Sequence, residues 1–503
     1  MGALPNATIV REVFLVEQRV LSGRQSGTRD ILLPALVLLL VAGVSRVIGL
    51  GEWAFVGDEY FTAYHAAERA RDLTSNPLYY ALVEATYRVF GFSEFAARFP
   101  AFLLGTLSIP VFFLLGSRVC GRNAALTASI FILLSGWHLW HSQAARFYSG
   151  VFLFATLGWF LYLRALTRGS VPLMIAALAA QAVAALFHQT AVLVAVACTV
   201  HALFTRIFAS GDDPGIRKVT TAWLVTACVA LIAVSPELYT RTLRWLNKGE
   251  SWGAGPVVLT FQLARYFNPV LLVTALVGLV RIVRENPFVG GFLVTGVGVP
   301  VLVMFALSAF MPVRPDYLFH VTPLLFLTAG YLCSECILRD SGRSRLAAYA
   351  MTLVVATAML PEFVSHYTGR KGLDVRQPVA FVERAYAPGD RVLSLVNGFD
   401  RYVKREPSTY RLLPWPGTPY DESVDWGRLL SNAVPQSGRL WILLPLRRKP
   451  LAPSLENWLL CHARLAWRRA SGRFDYTYEG YQVFVAGPAL VDARLCRALA
   501  ETG

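Results

Sequence analysis

The chain has few charged residues. Asp, Glu, Lys and Arg make up 16% of its 503 residues, whereas a soluble globular domain carries about 25%. Apolar residues make up 55%, and long stretches such as 31–50 and 99–116 are almost free of charge. A membrane span needs about 20 mostly apolar residues. The shortage of charge therefore excludes an ordinary soluble domain and predicts an α-helical polytopic membrane protein.

Cysteines, internal repeats and a cleavable leader are also scarce or missing. Of the seven cysteines, Cys333 and Cys336 form a CxxC pair, but no second pair of ligands accompanies it, which favours simple apolar packing. Cys461 and Cys496 could pair in an oxidising compartment. No internal repeat is visible, and the first apolar stretch starts too late and is too long for a cleaved signal peptide.

Basic residues alternate with the apolar stretches in a pattern that predicts a topology. We predict about eleven spans. They cover residues 31–50, 99–117, 123–138, 148–163, 171–187, 189–205, 219–236, 267–280, 288–309, 317–337 and 345–361. Every second connection is short and basic, and the positive-inside rule places these connections and the N-terminus in the cytoplasm. The net charge of +15 therefore reflects topology and anionic headgroups, not nucleic acid. We expect a multi-pass protein of the plasma (inner) membrane.

An odd number of spans places the C-terminal part outside the cell. We predict a cytoplasmic segment at 1–30, a transmembrane domain at 31–362 and an extracytoplasmic α/β domain at 363–503. In the last domain, 391–397 and 439–446 are predicted to be buried strands, 478–485 an edge strand and 378–386 a helix. The transmembrane domain includes an outer loop at 51–98, in which 76–90 is predicted to be an amphipathic helix at the membrane interface.

Two adjacent carboxylates, Asp58 and Glu59, follow the first span directly. Acidic residues at a membrane boundary are costly unless they have a function. One interpretation is a general base for an acceptor hydroxyl, a metal ligand, or both. The alternative is a loop carboxylate paired with Arg69 or Arg71.

A second group of polar residues lies where two spans turn, at 137–148. It contains His138, His141, Gln143, Arg146 and Tyr148. The planar guanidinium group of an arginine suits phosphate oxygens, and the two histidines are three residues apart, so they share a face on a helix. The alternative interpretation is an aromatic and basic anchor at the interface.

Two further turns carry polar residues and are predicted to face outward. His188 interrupts an apolar run, where it is either a site residue or a structural histidine. Arg314 and Tyr317 precede one of the last spans, and Arg314 either binds phosphate or pairs with Asp316. Together, these loops would suit a lipid-borne phosphate ester, whose tail stays in the bilayer while its head meets the loops. The residues predicted to bind this substrate are His138, His141, Gln143, Arg146, Tyr148, His188, Arg314 and Tyr317.

Several of these segments form a recognisable set. They are Gly-Asp-Glu-Tyr at 57–60, Ser-Asn-Pro-Leu-Tyr-Tyr at 75–80, the Phe-Gly-Phe-Ser-Glu and Arg-Phe-Pro runs at 90–94 and 98–100, and Ser-Gln-Ala-Ala-Arg-Phe-Tyr at 142–148. In order and spacing they resemble the family-39-like membrane glycosyltransferases of the GT-C fold. This group includes the dolichyl-phosphate-mannose protein mannosyltransferases and the aminoarabinose transferases of lipid A.

The resemblance implies an enzyme that transfers a sugar from a polyprenyl phosphate at the outer membrane face, usually with inversion. By this resemblance Asp58 matches the catalytic acidic position and Glu59 its neighbour. Arg146 matches the arginine of the family's motif at 142–148, and Tyr317 matches a tyrosine near the last spans. Ala144 stands where the family often has a glutamate, so a divalent cation, held by Asp58 if bound at all, stays an open question.

These observations predict an inverting glycosyltransferase with a polyprenyl-phosphate-linked sugar as donor. The acceptor hydroxyl could belong to a protein, a lipid or a glycan, and membrane lipids surround the spans. Two alternatives stay open. One is a transporter or flippase for the same lipid, although such proteins often show repeats. The other is a relative that binds the lipid without catalysis.

The predicted topology can be tested by its sidedness. We predict that reporter fusions or cysteine labelling will place the loop at Asp58 and the turn at Arg146 in the same extracytoplasmic compartment. Labelling of the two positions from opposite sides of the membrane would contradict the prediction.

Overall fold

The structure is a computed structural model that describes residues 28–67, 76–208, 214–246, 255–311, 313–338, 342–369, 374–396, 398–404, 410–414, 419–446, 450–470 and 480–487. The described residues form two compact units. The helical unit comprises those within Met1–Leu50, His65–Phe92 and Ala96–Phe363, and the sheet unit comprises those within Gly51–Tyr64, Ser93–Phe95 and Val364–Gly503.

Most described residues up to 369 are helical. The helices are α1 (Thr28–Val47), α2 (Asp58–Ala67), α3 (Pro77–Phe90), α4 (Glu94–Gly116), α5 (Arg122–Leu134), α6 (Gly136–Gln143), α7 (Tyr148–Arg168), α8 (Val171–Phe187), α9 (Val192–Phe208), α10 (Pro214–Leu246), α11 (Pro256–Phe267), α12 (Pro269–Glu285), α13 (Pro287–Ser308), α14 (Thr322–Leu338) and α15 (Gly342–Gly369). Short 3₁₀ helices at Gln189–Ala191 and Pro315–Val321 precede α9 and α14.

Among the described residues, seven helices are long and apolar enough to cross a membrane, or eight if the bent pair α11 and α12 forms one span. Two shorter apolar helices, α5 and α8, accompany them. The prediction of a helical, multi-span membrane protein is therefore confirmed, whereas the number eleven stays a prediction. The predicted helix at 76–90 corresponds to α3, and its place at the membrane interface also stays a prediction.

The bend of 93° between α11 and α12 has a local cause. Asn268 has a positive φ of 68°, and Pro269 starts the next helix. The Asn268 side chain accepts a hydrogen bond from the Val270 N–H at 3.0 Å and donates one to the Ala358 carbonyl at 2.8 Å. A capping asparagine and a proline at the first helical position thus stabilise the break.

The core of the helical unit is built from large aromatic side chains and close helix contacts. Trp159, Tyr162, Trp223 and Phe292 are buried in one cluster. A Cβ on Gly278 of α12 would lie 2.1 Å from the Thr328 carbonyl oxygen of α14, so only glycine allows this approach. Such small-residue contacts are typical of helices that pack inside membranes.

The sheet unit contains a four-stranded sheet in the order β1-β2-β4-β3. The strands are β1 (Arg391–Ser394), β2 (Leu440–Leu446), β3 (Ala463–Ala470) and β4 (Gly480–Ala486). Besides the start of α2, the described part of this unit contains the helices α16 (Arg376–Ala385), α17 (Phe399–Tyr402), α18 (Trp426–Ala433) and α19 (Pro453–His462). β1 is parallel to β2, and β4 pairs antiparallel with both β2 and β3.

The predicted strands at 391–397 and 439–446 and the helix at 378–386 correspond to β1, β2 and α16. The prediction of an edge strand at 478–485 was wrong. β4 lies inside the sheet, because β3, a strand rich in arginine that the sequence analysis missed, covers its other side. The extracytoplasmic position of this unit stays a prediction.

The segment before α2 is folded into the sheet unit, although the sequence analysis assigned all of 51–98 to the transmembrane domain. Ala54 is fully buried in a core that includes Val375 and Val379. The Tyr402 hydroxyl accepts a hydrogen bond from the Phe55 N–H at 2.9 Å and donates one to a Glu94 carboxylate oxygen at 2.7 Å. Segments more than 300 residues apart in sequence therefore fold together.

One buried carboxylate, Asp390, joins the strands of the sheet unit. It is 2% exposed and accepts hydrogen bonds from the Arg439 backbone N–H at 2.8 Å, the Arg439 guanidinium at 2.9 Å and the Trp441 indole at 2.9 Å. Burial alone would raise the pKa of Asp390, but these hydrogen bonds outweigh it, so its pKa lies below the usual range.

We predict that Asp390→Asn will destabilise the sheet unit by about 1–3 kcal/mol, because charged hydrogen bonds are lost inside the core. Since the folded pKa of Asp390 is lowered, its contribution is complete above the unfolded pKa and is lost as the pH falls through the folded value. Thermal unfolding of the full chain in detergent at several pH values measures both effects. The exposed carboxylate variant Glu422→Gln is the control, and an equal loss in both variants would contradict the prediction.

Candidate functional site

The turn at 137–148 forms the short helix α6 and a tight connection to α7. The Ser135 hydroxyl caps α6 by accepting the His138 N–H at 3.2 Å. Two glycines allow neighbouring elements to approach closely. A Cβ on Gly105 of α4 would lie 2.3 Å from the Ser142 hydroxyl, and one on Gly136 would lie 2.5 Å from Cγ of Glu362. This packing explains why so many polar residues of α6 are buried.

His138 and Gln143 bond to neighbouring helices. Nε2 of His138 lies 3.0 Å from the Ser108 hydroxyl, and its Nδ1 lies 3.4 Å from the Arg46 guanidinium. The Gln143 amide donates to the carbonyls of Arg46 at 2.7 Å and Ile48 at 2.8 Å. These contacts attach α6 to α4 and to the end of α1. These contacts are structural, and none of them favours substrate binding by His138 or Gln143. Their binding role stays a prediction.

His141 belongs to a different group, which is centred on Asp316. One Asp316 carboxylate oxygen accepts from Nε2 of His141 at 3.2 Å and from the Trp137 indole at 3.2 Å. The other oxygen pairs with the Arg314 guanidinium at 3.0 Å. The alternative that paired Arg314 with Asp316 thus describes a real contact. Asp316 is 7% exposed, so it is a buried carboxylate with three donors.

Aromatic rings connect this group to the other predicted residues. The His188 ring stacks between Phe147, at 4.6 Å, and Tyr317, at 5.3 Å. The Tyr148 ring lies 4.5 Å from His141 and 5.7 Å from His188. These rings form one continuous aromatic wall.

Arg146 completes the group. Its guanidinium carbon lies 4.6 Å from the centre of the Phe147 ring. Six of the predicted substrate-binding residues therefore lie together, and we call them, with Asp316, the buried cluster: His141, Arg146, Tyr148, His188, Arg314 and Tyr317. Arg146, Arg314 and Tyr317 are half-buried, and the other members are buried. Their roles in binding stay predictions.

The imidazoles of the buried cluster are neutral at neutral pH. Burial lowers the pKa of His188 to about 3, with further lowering by Arg146 and Arg314. Burial also lowers the pKa of His141, although Asp316 opposes the shift. The charged members of the cluster are then two guanidinium groups and one carboxylate, so it carries one net positive charge.

His320, in the 3₁₀ helix Pro315–Val321 that also contains Asp316 and Tyr317, was not among the residues predicted from the sequence. This histidine is fully buried, and neither ring nitrogen has a hydrogen-bond partner of normal geometry within the described chain. Its backbone carbonyl accepts the Trp159 indole N–H at 3.1 Å. An ionisable residue inside the predicted span 317–337 was a signal that could have found it.

Asp58 and Glu59 begin α2, and their surroundings differ. Glu59 is 3% exposed, and its carboxylate accepts the Val56 N–H at 3.0 Å, so it caps the helix that contains it. Asp58 is only partly buried. This difference favours Asp58 as the residue that meets a substrate. The proposed alternative partners Arg69 and Arg71 lie outside the described residues.

Tyr60 follows the carboxylates and contacts other residues of the sheet unit. Its hydroxyl is 3.4 Å from an Asp400 carboxylate oxygen, and its ring is 4.3 Å from the Tyr64 ring. Burial, the hydrogen bond with Tyr64 and the charge of Asp400 raise the pKa of Tyr60 well above its usual value. Tyr60 therefore stays neutral and serves as a hydrogen-bonding and packing residue.

Within the described part of the chain, no group of three or more His, Cys, Asp or Glu residues has the arrangement of a metal site. Ala144, where the family often has a glutamate, is buried and apolar. Of the cysteines considered for a disulfide, Cys461 is buried and Cys496 lies outside the described residues.

Three comparisons place this geometry among known proteins. Residues 74–240 match the family model described as dolichyl-phosphate-mannose-protein mannosyltransferase. No curated protein sequence matches the chain. The fold is similar to that of ArnT from Cupriavidus metallidurans in the apo state, at 15% identity and a TM-score of 0.53, over 92% of this chain and 99% of that one.

Two further structures share the fold. ArnT from Cupriavidus metallidurans bound to undecaprenyl phosphate aligns at 15% identity and a TM-score of 0.50, over 93% of this chain and 100% of that one. The oligosaccharyltransferase from Archaeoglobus fulgidus aligns at 10% identity and a TM-score of 0.52, over 88% of this chain and 75% of that one. The predicted resemblance is therefore confirmed: the chain has the fold of the GT-C membrane glycosyltransferases, and its residues 74–240 match the mannosyltransferase family model.

Proposed function

We propose that the protein is an inverting membrane glycosyltransferase that moves a sugar from a polyprenyl-phosphate carrier to a hydroxyl acceptor. The observation that carries the proposal is the buried cluster, in which two arginines, two histidines and two tyrosines predicted from separate turns lie together. The family match and the fold shared with an ArnT structure that holds undecaprenyl phosphate support the same class of donor.

The charge of the cluster suits this donor. A polyprenyl phosphosugar is a phosphodiester with one negative charge, and the charged members of the cluster leave one net positive charge. Arg146 and Arg314 would bind the phosphate oxygens, because a guanidinium group offers several donors in a plane. As the sugar leaves, the phosphate gains a second negative charge, and the same two groups would stabilise it.

Asp58 is proposed as the general base. It would take the proton from the acceptor hydroxyl while the hydroxyl oxygen attacks the anomeric carbon. The bond between this carbon and the phosphate oxygen breaks at the same time, and the polyprenyl phosphate departs, so the configuration inverts. The partial exposure of Asp58 supports this role, whereas Glu59 would act by capping α2 and so holding Asp58 in place.

The proposed acceptor is a hydroxyl of a protein, a lipid or a cell-envelope glycan. We propose that the reaction occurs at the outer face of the plasma membrane, because the polar turns are predicted to face outward. A transporter or a non-catalytic lipid-binding protein would share the cluster but would not release polyprenyl phosphate from its donor.

We predict that the purified protein will release polyprenyl phosphate from a radiolabelled polyprenyl-phosphate sugar in the presence of a suitable acceptor. Asp58→Asn should lower this rate by about 100-fold or more, because a general base contributes about that factor, while binding of polyprenyl phosphate persists. Glu422→Gln, an exposed carboxylate of the same unit, is the control. Full turnover by Asp58→Asn would refute its role, and binding without release by the wild type would favour a transporter or binding protein.

We predict that Arg146→Ala will weaken the binding of polyprenyl phosphate by roughly 10- to 100-fold, the size of a lost charged hydrogen bond. Arg146→Lys should recover only part of the loss, since lysine lacks the planar set of donors. Titration of the detergent-purified protein with polyprenyl phosphate measures both. Arg122→Ala, an exposed arginine at the start of α5, is the control. Equal affinities for wild type and Arg146→Ala would contradict the assignment.

A further inference from the structure

Asp316 determines where the His141 imidazole carries its proton. A carboxylate can only accept, so the contact of 3.2 Å between Asp316 and Nε2 of His141 requires the proton on Nε2. The same Asp316 oxygen accepts from the Trp137 indole, and the other oxygen pairs with Arg314. These contacts hold the carboxylate in one orientation, and the carboxylate holds the ring.

The second ring nitrogen of His141 is a buried acceptor. With the proton on Nε2, Nδ1 of the neutral ring carries a lone pair. His141 is 2% exposed, and Nδ1 has no hydrogen-bond partner among the described residues. The ring lies between Tyr148 and Phe319, each at 4.5 Å, and close to the charges of Arg146 and Arg314. A buried acceptor without a partner costs free energy and so indicates a missing donor.

We propose that Asp316 is a positioning residue that holds His141 in the tautomer whose Nδ1 accepts a hydrogen bond from a hydroxyl of the transferred sugar. This inference rests on the proposed function. It adds a residue to that function, since the proposed function gives Asp316 no role of its own.

The chemistry of the donor lipid selects the sugar as the partner. Phosphodiester oxygens only accept hydrogen bonds, so they cannot satisfy Nδ1, and they are matched by the nearby guanidinium groups. The polyprenyl chain has no donor. The hydroxyl groups of the sugar are therefore the donors of this substrate that can satisfy Nδ1. Such a site discriminates strongly, because a ligand without the hydroxyl leaves the buried acceptor unpaired.

The test measures a ratio of two affinities in the full chain. One is for a polyprenyl-phosphate sugar that the wild type consumes, and the other is for the methyl diester of the same polyprenyl phosphate, which has no sugar. Both lipids share a singly charged phosphodiester and the tail, so their ratio reports contacts to the sugar. The sugarless affinity also shows whether a variant is still folded.

Two amide substitutions at position 141 separate the two ring nitrogens. His141→Gln can still donate to Asp316 but lacks an acceptor at the place of Nδ1, so the ratio should fall roughly three- to tenfold. His141→Asn places an amide oxygen near the position of Nδ1, so it should recover part of the ratio. His201→Gln, a change at another buried histidine of the helical unit that contacts the Tyr162 hydroxyl, should leave the ratio unchanged.

Asp316→Ala tests the positioning role. In a protein that keeps His141, this substitution should lower the ratio of the two affinities, because the imidazole proton is then free to move from Nε2 to Nδ1. In the His141→Gln background it should have no further effect on the ratio, since a residue that acts through His141 needs its imidazole.

Two results, each in a protein that still consumes the donor, would overturn this inference but not the proposed function. One is an unchanged ratio in His141→Gln. The other is an effect of Asp316→Ala on the ratio that is equal with and without His141. A wild type that binds neither lipid would instead contradict the proposed function itself and the inference with it.

Discussion

The Asp316 carboxylate is the interaction on which the buried cluster depends. Arginines and histidines within a helical membrane unit are costly unless charge and hydrogen bonds compensate them. Asp316 accepts from Arg314, His141 and Trp137, and so connects two turns that are far apart in sequence. The two guanidinium groups of the cluster, those of Arg146 and Arg314, are the groups that an anionic ligand would contact in the proposed function.

Asp58, the candidate general base, belongs to the sheet unit, whereas the buried cluster belongs to the helical unit. In the proposed function the sheet unit would therefore supply the base. The segment that contains Asp58 is packed into the core of the sheet unit through Ala54 and bonded to it through Tyr402. Tyr402 belongs to the C-terminal part of the chain, so the C-terminal fold shapes the conformation of the acidic loop. In the proposed function the requirements on Asp58 and on the buried cluster differ: Asp58 would meet an acceptor from solvent or the membrane surface, and the cluster would hold a lipid phosphate.

The helical class of the protein and the positions of its polar turns were predictable from the sequence, because both depend on local patterns. Apolar run lengths and basic connections predicted the multi-span helical protein, and the polar turns at 137–148, 188 and 314–317 were chosen because they interrupt such runs. The helical period does not say which neighbour a side chain meets, so the partner of His138 was not predictable, nor the role of Asp316 toward His141. β4 lies inside the sheet because it pairs with β3, and the residue pattern of one strand does not reveal its pairing partners.

A photoreactive polyprenyl phosphate with a diazirine beside the phosphate tests the central claim most directly. After irradiation of the purified protein, mass spectrometry would locate the crosslinked residues. We expect labels within 137–148, at 188 or within 313–320, and we expect these labels to disappear on competition with unmodified polyprenyl phosphate. Specific labels confined to the basic connections at 164–168 and 206–218, with none in the buried cluster, would contradict it.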